Sequence, residues 1–160
     1  MEKFISYYDY PIGSLGILEE DEHIIAVSWK EELINYDFPI KETPLILKTH
    51  RQLCEYFDGK RKDFDLPLNP KGTLFQKQCW EALKEIPYGS TRTYREQAEA
   101  IGHQNACRAV GSANHRNPIM IIIPCHRVIG SNGKLTGFRG GVSVKQALLE
   151  LEKKNSKNSQ

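Results

Sequence analysis

Between residues 71 and 160 the sequence contains no aspartate. That half carries 14 Lys+Arg against 6 Asp+Glu, a net +8, whereas residues 1–70 carry 8 against 14, a net −6. The overall charge of +2 therefore conceals two opposed halves, the footprint of one module that meets a polyanion beside one that does not. No apolar run approaches the roughly 18 residues of a membrane span. Met1-Glu2-Lys3 is not followed by the apolar core of a signal peptide, so a soluble, cytoplasmic protein (nuclear in a eukaryote) with no membrane partner is expected. CxxC pairs are also missing: Cys54, Cys79, Cys107 and Cys125 stand far apart, which argues against a disulfide framework or a zinc knuckle and fits a reducing compartment. His23, His50 and Cys54 could gather around a metal or serve as ordinary core and surface residues; the expectation is no metal and no cofactor. What is present is a 160-residue chain, 39% apolar and 26% charged, with room for one large or two small packed domains.

Residues 4–29 read as a meander of short strands: Phe4 to Tyr10, Leu15 to Leu18, and Ile24 to Trp29 after the acidic turn Glu19 to Glu22. Thr43-Pro44 supplies a helix cap and a proline at the first helical position, Leu47, Leu53, Tyr56 and Phe57 form the apolar set, and Asp58-Gly59 closes the helix. Residues 60–72 (KRKDFDLPLNPKG) form a linker. Beyond it, Thr73-Leu-Phe-Gln76, Thr93-Tyr-Arg-Glu96 and Ser143-Val-Lys-Gln146 have capping-box spacing, in which the hydroxyl and the third side chain each satisfy an orphan backbone donor. The first opens a helix with Phe75, Cys79, Trp80, Leu83 and Ile86 inward; the second is short and stops at Gly102; a third helix runs from a cap at Asn105 to about Arg116. Short helix, glycine turn, short helix is helix-turn-helix spacing. Ile119 to Ile123 reads as a buried strand, Ser131-Asn132-Gly133 as a hairpin turn, and Val144, Ala147, Leu148 and Leu151 as the apolar face of a last helix. Helices followed by a small hairpin indicate a winged helix. Residues 153–160 are polar and expected to fray, with 156–160 a disordered tail.

Two segments carry chemistry. Cys125 lies between the apolar run and a turn, followed by His126 and Arg127. Positive neighbours favour the nucleophilic thiolate. A buried structural cysteine is the competing reading, against which a Cys-His-Arg cluster is hard to bury unpaired. Adjacent side chains diverge, so a bridging water is a simpler relay between Cys125 and His126 than direct proton transfer. A third group should orient the imidazole; Glu150 and Glu152 are available, and each is otherwise a solvated surface glutamate. The second segment, Arg108-Ala109-Val110-Gly111-Ser112-Ala113-Asn114, has small residues where a major-groove reader carries base-gripping side chains. Small residues allow close approach in a minor groove, and Arg108 could fill a gap in the base stack; a tightly packed internal helix is the alternative.

Ile121-Ile-Ile-Pro-Cys125-His126-Arg127-Val128, followed by Gly140-Gly141 and a terminal helix, resembles the O6-alkylguanine-DNA alkyltransferases, also called methylated-DNA-protein-cysteine methyltransferases. The resemblance spans about residues 73–152 and includes Phe75-Gln76, Cys79-Trp80, Ile86-Pro87-Tyr88-Gly89, Thr93-Tyr94, Arg108-Ala-Val-Gly111, Asn117-Pro118 and Leu148-Leu149 with Glu152. It implies an α+β fold of two domains: an acidic, ribonuclease-H-like N-terminal sheet with helix (1–70), and a mostly helical winged helix-turn-helix domain (71–155) that binds DNA and carries Pro-Cys-His-Arg. It implies direct-reversal DNA repair, in which a flipped O6-methylguanine, and O4-methylthymine, in duplex DNA gives its alkyl group to Cys125 in a single self-inactivating SN2-type event. By the same resemblance His126 is the water-mediated base, Glu152 orients it, and Tyr94 protonates or polarises the leaving guanine. Arg108 replaces the flipped nucleotide, and Tyr94, Ala109, Gly111, Ser112, Ala113 and Arg116 lie at the DNA. Asn117, Val128, Phe138 and Arg139 shape the pocket. The partner implied is double-stranded alkylated DNA, bound in the minor groove with little sequence preference by a monomer.

The sequence departs from the family at Phe138, where tyrosine is common, and at Arg139, where a small residue is usual; Arg139 could narrow the pocket or contact phosphate. Two other functions compete: a non-catalytic alkylated-DNA sensor or winged-helix regulator, and a cysteine hydrolase using Cys125 and His126. Relatives of the sensor class carry another residue at the Cys125 position.

Overall fold

A computed structural model describes residues 2–157. The architecture is α+β, in two units: residues up to Lys71 together with Pro118–Ile122, and Gly72–Asn117 together with Ile123 onward. A boundary at residue 70 therefore misses that 118–122 belong to the first unit.

The first unit is an antiparallel meander of β1 (Lys3–Tyr10), β2 (Gly13–Glu20) and β3 (His23–Trp29). The acidic turn is tighter than Glu19 to Glu22. Only Asp21 and Glu22 turn, with φ of 52° and 59°, the positive pair that a two-residue hairpin loop adopts. Central strand β2 is buried from Leu15 to Glu20, because both faces are covered. One face gathers Ile5, Leu18, Ile25, Ala26 and Leu33 with Tyr7 and Phe38. Leu33 comes from a four-residue helix that the sequence pattern did not signal, α1 (Lys30–Leu33). Helix α2 (Pro44–Phe57) also packs on the sheet. Its cap, Thr43, accepts from Ile46 N–H and donates to Glu19 Oε1 at 2.5 Å. Starting the helix at Pro44 puts Ile46, Thr49, Leu53 and Tyr56 on the buried stripe, so Leu47, expected inward, is exposed. Both sheet edges are covered by single bridges: Ile40 to Ile5 beside β1, and Leu68 to Ile24 and Ile119 to Val27 beside β3.

The second unit contains α3 (Leu74–Lys84), β4 (Arg92–Thr93), α4 (Tyr94–Ala100), α5 (Cys107–His115), a 3-10 turn (Cys125–Arg127), β5 (Val128–Ile129) and α6 (Val142–Lys157). The capping boxes at Thr73 and Thr93 form. That at Ser143 does not, because α6 starts at Val142, two residues before the start a Ser143 cap would give, and Lys145 N–H bonds Gly141 O at 3.3 Å. Likewise α5 starts at Cys107, not after an Asn105 cap; Ala106 precedes it with no side-chain bond. Ile119–Ile123 is buried throughout, yet only Ile119 pairs. The rest turns, with Ile121 at φ 70°, so the run is apolar because it is enclosed rather than because it is a strand. The turn at Ser131-Asn132-Gly133 forms, Gly133 N–H donating to Gly130 O at 2.9 Å, but among the described residues no antiparallel strands flank it; β5 pairs in parallel with β4, Arg92 opposite Val128. Helix α6 continues to Lys157, so residues 153–157, expected to fray, are helical, and the rest of the expected tail lies outside the described residues. Its buried face is Lys145, Leu148 and Glu152, while Ala147 is exposed. No helix among the described residues is long and apolar enough to cross a membrane.

Candidate active site

The site is built wholly from the second unit. Cys125 opens the 3-10 turn, its N–H donating to Ile123 O at 2.8 Å, and is 9% exposed. Burial pushes the thiol up. A hydrogen bond from the Asn117 side chain and the charges of Arg139 and Lys145 pull the other way without prevailing. The positive neighbours anticipated from sequence are therefore present, but desolvation outweighs them, and at rest Cys125 is a thiol that must lose its proton to react.

His126 is fully buried. Its Nε2 lies 2.6 Å from Glu152 Oε2. Arg127 grips the same carboxylate, Nε to Oε1 at 2.8 Å and Nη2 to Oε2 at 3.1 Å, and Gly89 N–H adds a bond at 3.3 Å. Burial would raise the Glu152 carboxyl, but the hydrogen bonds of His126 and Arg127, the Arg127 charge and the charge His126 takes on in acid hold it down at about 2. An ionised carboxylate only accepts, so the proton on the 2.6 Å contact sits on His126 Nε2. Burial also pushes the imidazole below its ordinary value, against the pull of Glu152, so the ring is neutral. In a neutral ring with Nε2 protonated, Nδ1 keeps a lone pair and is a base. That Nδ1 is buried with no hydrogen-bond partner among the described residues. Of the two glutamates, Glu152 is thus the one inside; Glu150 is exposed and takes a bond from Gln146.

The stretch Ile86-Pro87-Tyr88-Gly89 supports this cluster. Ile86 O accepts from Arg127 Nη1 at 2.7 Å, the Tyr88 ring lies 5.6 Å from the Arg127 guanidinium, and Gly89 donates its amide. Gly89 has φ 81°, and a side chain there would run into Ser156, so glycine is required for the backbone to approach Glu152.

Tyr94, the first residue of α4, is half-buried and donates to Thr136 O at 3.1 Å; burial pushes its phenol up. Lys145 Nζ donates to the same carbonyl at 2.9 Å and sits 5.8 Å from the Tyr94 ring. It is 1% exposed, and burial pulls its ammonium down to about 8. Sequence reasoning missed Lys145. The signal was its helical spacing from Leu148 and Glu152, which places all three on one face.

Asn117, buried, donates to Ile123 O at 2.7 Å and ties the end of α5 to the residue two before the cysteine. Val128 and Phe138 are buried. Arg139 donates to His115 O at the end of α5 at 3.3 Å, and its charge is felt at Cys125. Arg108, Ala109, Ser112 and Arg116 are exposed on one side of α5, and Gly111 is half-exposed, where an added Cβ would meet the Tyr94 ring at 3.7 Å. Ala113 does not join them. It is 3% exposed and its carbonyl accepts the Trp80 indole N–H at 2.8 Å, so it belongs to the core. Cys79 is fully buried, its thiol pushed up to about 11 by burial. In the first unit Cys54 Sγ meets His50 Nε2 at 3.6 Å, but His50 is bound to Tyr10 Oη, and His23 is turned to Asp21 O. Among the described residues no group of three such side chains could hold a metal ion.

Two family descriptions cover nearly the whole chain: 6-O-methylguanine DNA methyltransferase, ribonuclease-like domain, over residues 3–70, and 6-O-methylguanine DNA methyltransferase, DNA binding domain, over residues 74–154. The chain belongs to this family of 6-O-methylguanine DNA methyltransferases. It is 47% identical over 152 residues to a methylated-DNA–protein-cysteine methyltransferase of Methanosarcina acetivorans, covering 93% of this chain and 97% of that one. With the constitutive methylated-DNA–protein-cysteine methyltransferase of Bacillus subtilis it shares 45% identity over 161 residues, covering 93% and 96%. The crystal structure of Mycobacterium tuberculosis OGT in complex with DNA matches with a TM-score of 0.89 at 43% identity, covering 95% of this chain and 94% of that one.

Proposed function

We propose that this protein repairs alkylated DNA directly, moving the alkyl group of O6-methylguanine, and of O4-methylthymine, to Cys125 Sγ. The observation that carries the reading is the 2.6 Å contact between His126 Nε2 and Glu152, which leaves Nδ1 buried without a partner among the described residues and free to act as a base. The Cys125 proton passes through a bridging water to Nδ1, and the imidazolium that forms is stabilised by Glu152. The thiolate attacks the alkyl carbon; the S–C bond forms as the C–O6 bond breaks, and the electron pair leaves with guanine. Tyr94, or Lys145 beside it, neutralises the departing base. A thioether has no hydrolytic exit, so each molecule acts once, and the donor is the lesion itself, so no cofactor is required.

A base inside a duplex is out of reach of a buried sulfur, and extrusion costs a few kcal/mol. The exposed side of α5 supports a minor-groove approach: Ala109 and Ser112 are small, and Arg108 and Arg116 lie exposed beside them, in this reading to fill the base stack and to meet phosphate. Small residues in place of base-gripping ones favour binding blind to sequence, by a monomer, with salt dependence set by the basic half. The acidic first unit acts as a support. Such a protein works where DNA is held and thiols stay reduced, in cytoplasm or nucleus.

Loss of O6-methylguanine from an excess of methylated duplex should stop at one lesion per protein molecule. Repeated turnover would favour the hydrolase reading, and tight binding with the lesion unchanged would favour the sensor.

A further inference from the structure

In the second unit, α3, α4 and α5 share a buried side-chain amide contact among largely apolar neighbours. Gln97 Nε2 donates to Asn114 Oδ1 at 2.9 Å and to Cys79 O at 3.1 Å, while Asn114 Nδ2 donates to Gln97 Oε1 at 2.7 Å. Gln97 is 1% and Asn114 5% exposed, and the neighbours Cys79, Trp80, Val110 and Ala98 are buried. Both donor hydrogens and the oxygen of Gln97 are thereby used, and the Trp80 bond to Ala113 O lies one residue from Asn114.

Such a pair is a poor way to add stability. Replacing both partners of a buried hydrogen bond by apolar groups of similar shape is nearly neutral. What reciprocal amides add is orientation, since they bond in one relative placement whereas an apolar contact tolerates sliding. The elements so oriented carry the lesion-handling residues. Gln97 lies one helical turn after Tyr94 on α4, and Asn114 lies on the helix whose first turn presents Arg108.

We propose that Gln97 and Asn114 are positioning residues for lesion capture: their reciprocal bond sets α5 against α4 so that Arg108 enters the base stack while Tyr94 faces the extruded base. This rests on the repair reading above, in which extrusion precedes transfer. Neither amide touches the reacting atoms, so reaction with a free alkylated base, which needs no extrusion, should be indifferent to the pair.

The test compares wild type, Gln97→Leu/Asn114→Leu and the exchanged pair Gln97→Asn/Asn114→Gln, with Arg108→Ala alongside. Each is assayed against a methylated duplex and against free O6-methylguanine base. The leucine pair should unfold cooperatively near the wild-type temperature and keep its free-base rate within about twofold, while its duplex rate falls by roughly tenfold or more, the scale of effect of a misplaced group. The exchanged pair, which keeps both amides and their combined length, should restore the duplex-to-free-base ratio. A leucine pair that loses both rates together, or neither, overturns the proposal. If the leucine pair does not fold, the exchanged pair decides: a wild-type ratio supports the proposal, and a ratio lowered like that of Arg108→Ala overturns it. Equal loss on both substrates in Arg108→Ala would instead remove the extrusion reading on which the proposal stands.

Discussion

His126 Nε2 and Glu152 Oε2 are 2.6 Å apart in a fully buried pocket, with Arg127 bound to both carboxylate oxygens. The carboxylate fixes the tautomer that leaves Nδ1 basic and offsets the charge that proton transfer creates. Glu152→Gln keeps the shape but removes that charge and leaves the Arg127 guanidinium uncompensated. The duplex repair rate should fall by about 10²–10⁴, the usual worth of positioned acid–base catalysis. Stability should fall by about 3–5 kcal/mol, the cost of breaking a buried ion pair, read by denaturant unfolding. Unchanged repair in a folded variant would contradict the relay.

The acid side of the pH dependence follows from two lowered groups. Glu152 has a folded value of about 2 against an ordinary 4.5. Its contribution to stability is full above 4.5 and is lost as pH falls toward 2. The melting temperature of Glu152→Gln should therefore change less than that of wild type over this interval. His126 is held below 6.5, so the unfolded chain takes up its proton first, and the stability from burying a neutral ring is present above 6.5 and lost below. The same shift keeps the base free in mild acid: the acid limb of the repair rate should lie below 6.5, and a limb at or above that value would contradict a buried neutral imidazole.

Lys145 places a buried cation near Cys125 and pulls the thiol down. In Lys145→Met, thiolate formation at Cys125, followed by alkylation rate against pH, should move to higher pH than in wild type, with slower repair at neutral pH. An unmoved profile would restrict Lys145 to holding Thr136.

Ala109 and Ala113 are a matched pair of substitutions. Ala109 is exposed and Ala113 is 3% exposed against Trp80. Ala113→Leu should cost about 1–3 kcal/mol by overpacking. Ala109→Leu should leave stability within about 0.5 kcal/mol and weaken duplex binding, as titration by anisotropy would show. The reverse assignment would place the DNA face elsewhere.

Local chemistry was the legible part of the sequence. Thr43-Pro44, Thr73 and Thr93 each state a helix start in residues whose side chains bond the adjacent backbone, and all three helices begin there. The boundary cues at Asn105 and Ser143 failed because residue type permits a cap without compelling one. Burial misled at Ile119–Ile123, where an apolar run reports enclosure and not the φ of 70° at Ile121. In the site, the cysteine, its histidine and the glutamate stood out through the family's motif. Lys145 did not, because a lysine on a helix reads as surface unless its partner is known, and that partner, Thr136 O, is a backbone atom with no sequence signature.

The most direct measurement is the mass of the Cys125 peptide after exposure to duplex DNA containing O6-methylguanine. Cys125 should gain a single methyl, matched mole for mole by guanine restored in the duplex and absent in Cys125→Ala, which still binds DNA. A duplex fully demethylated while Cys125 stays unmodified would contradict it.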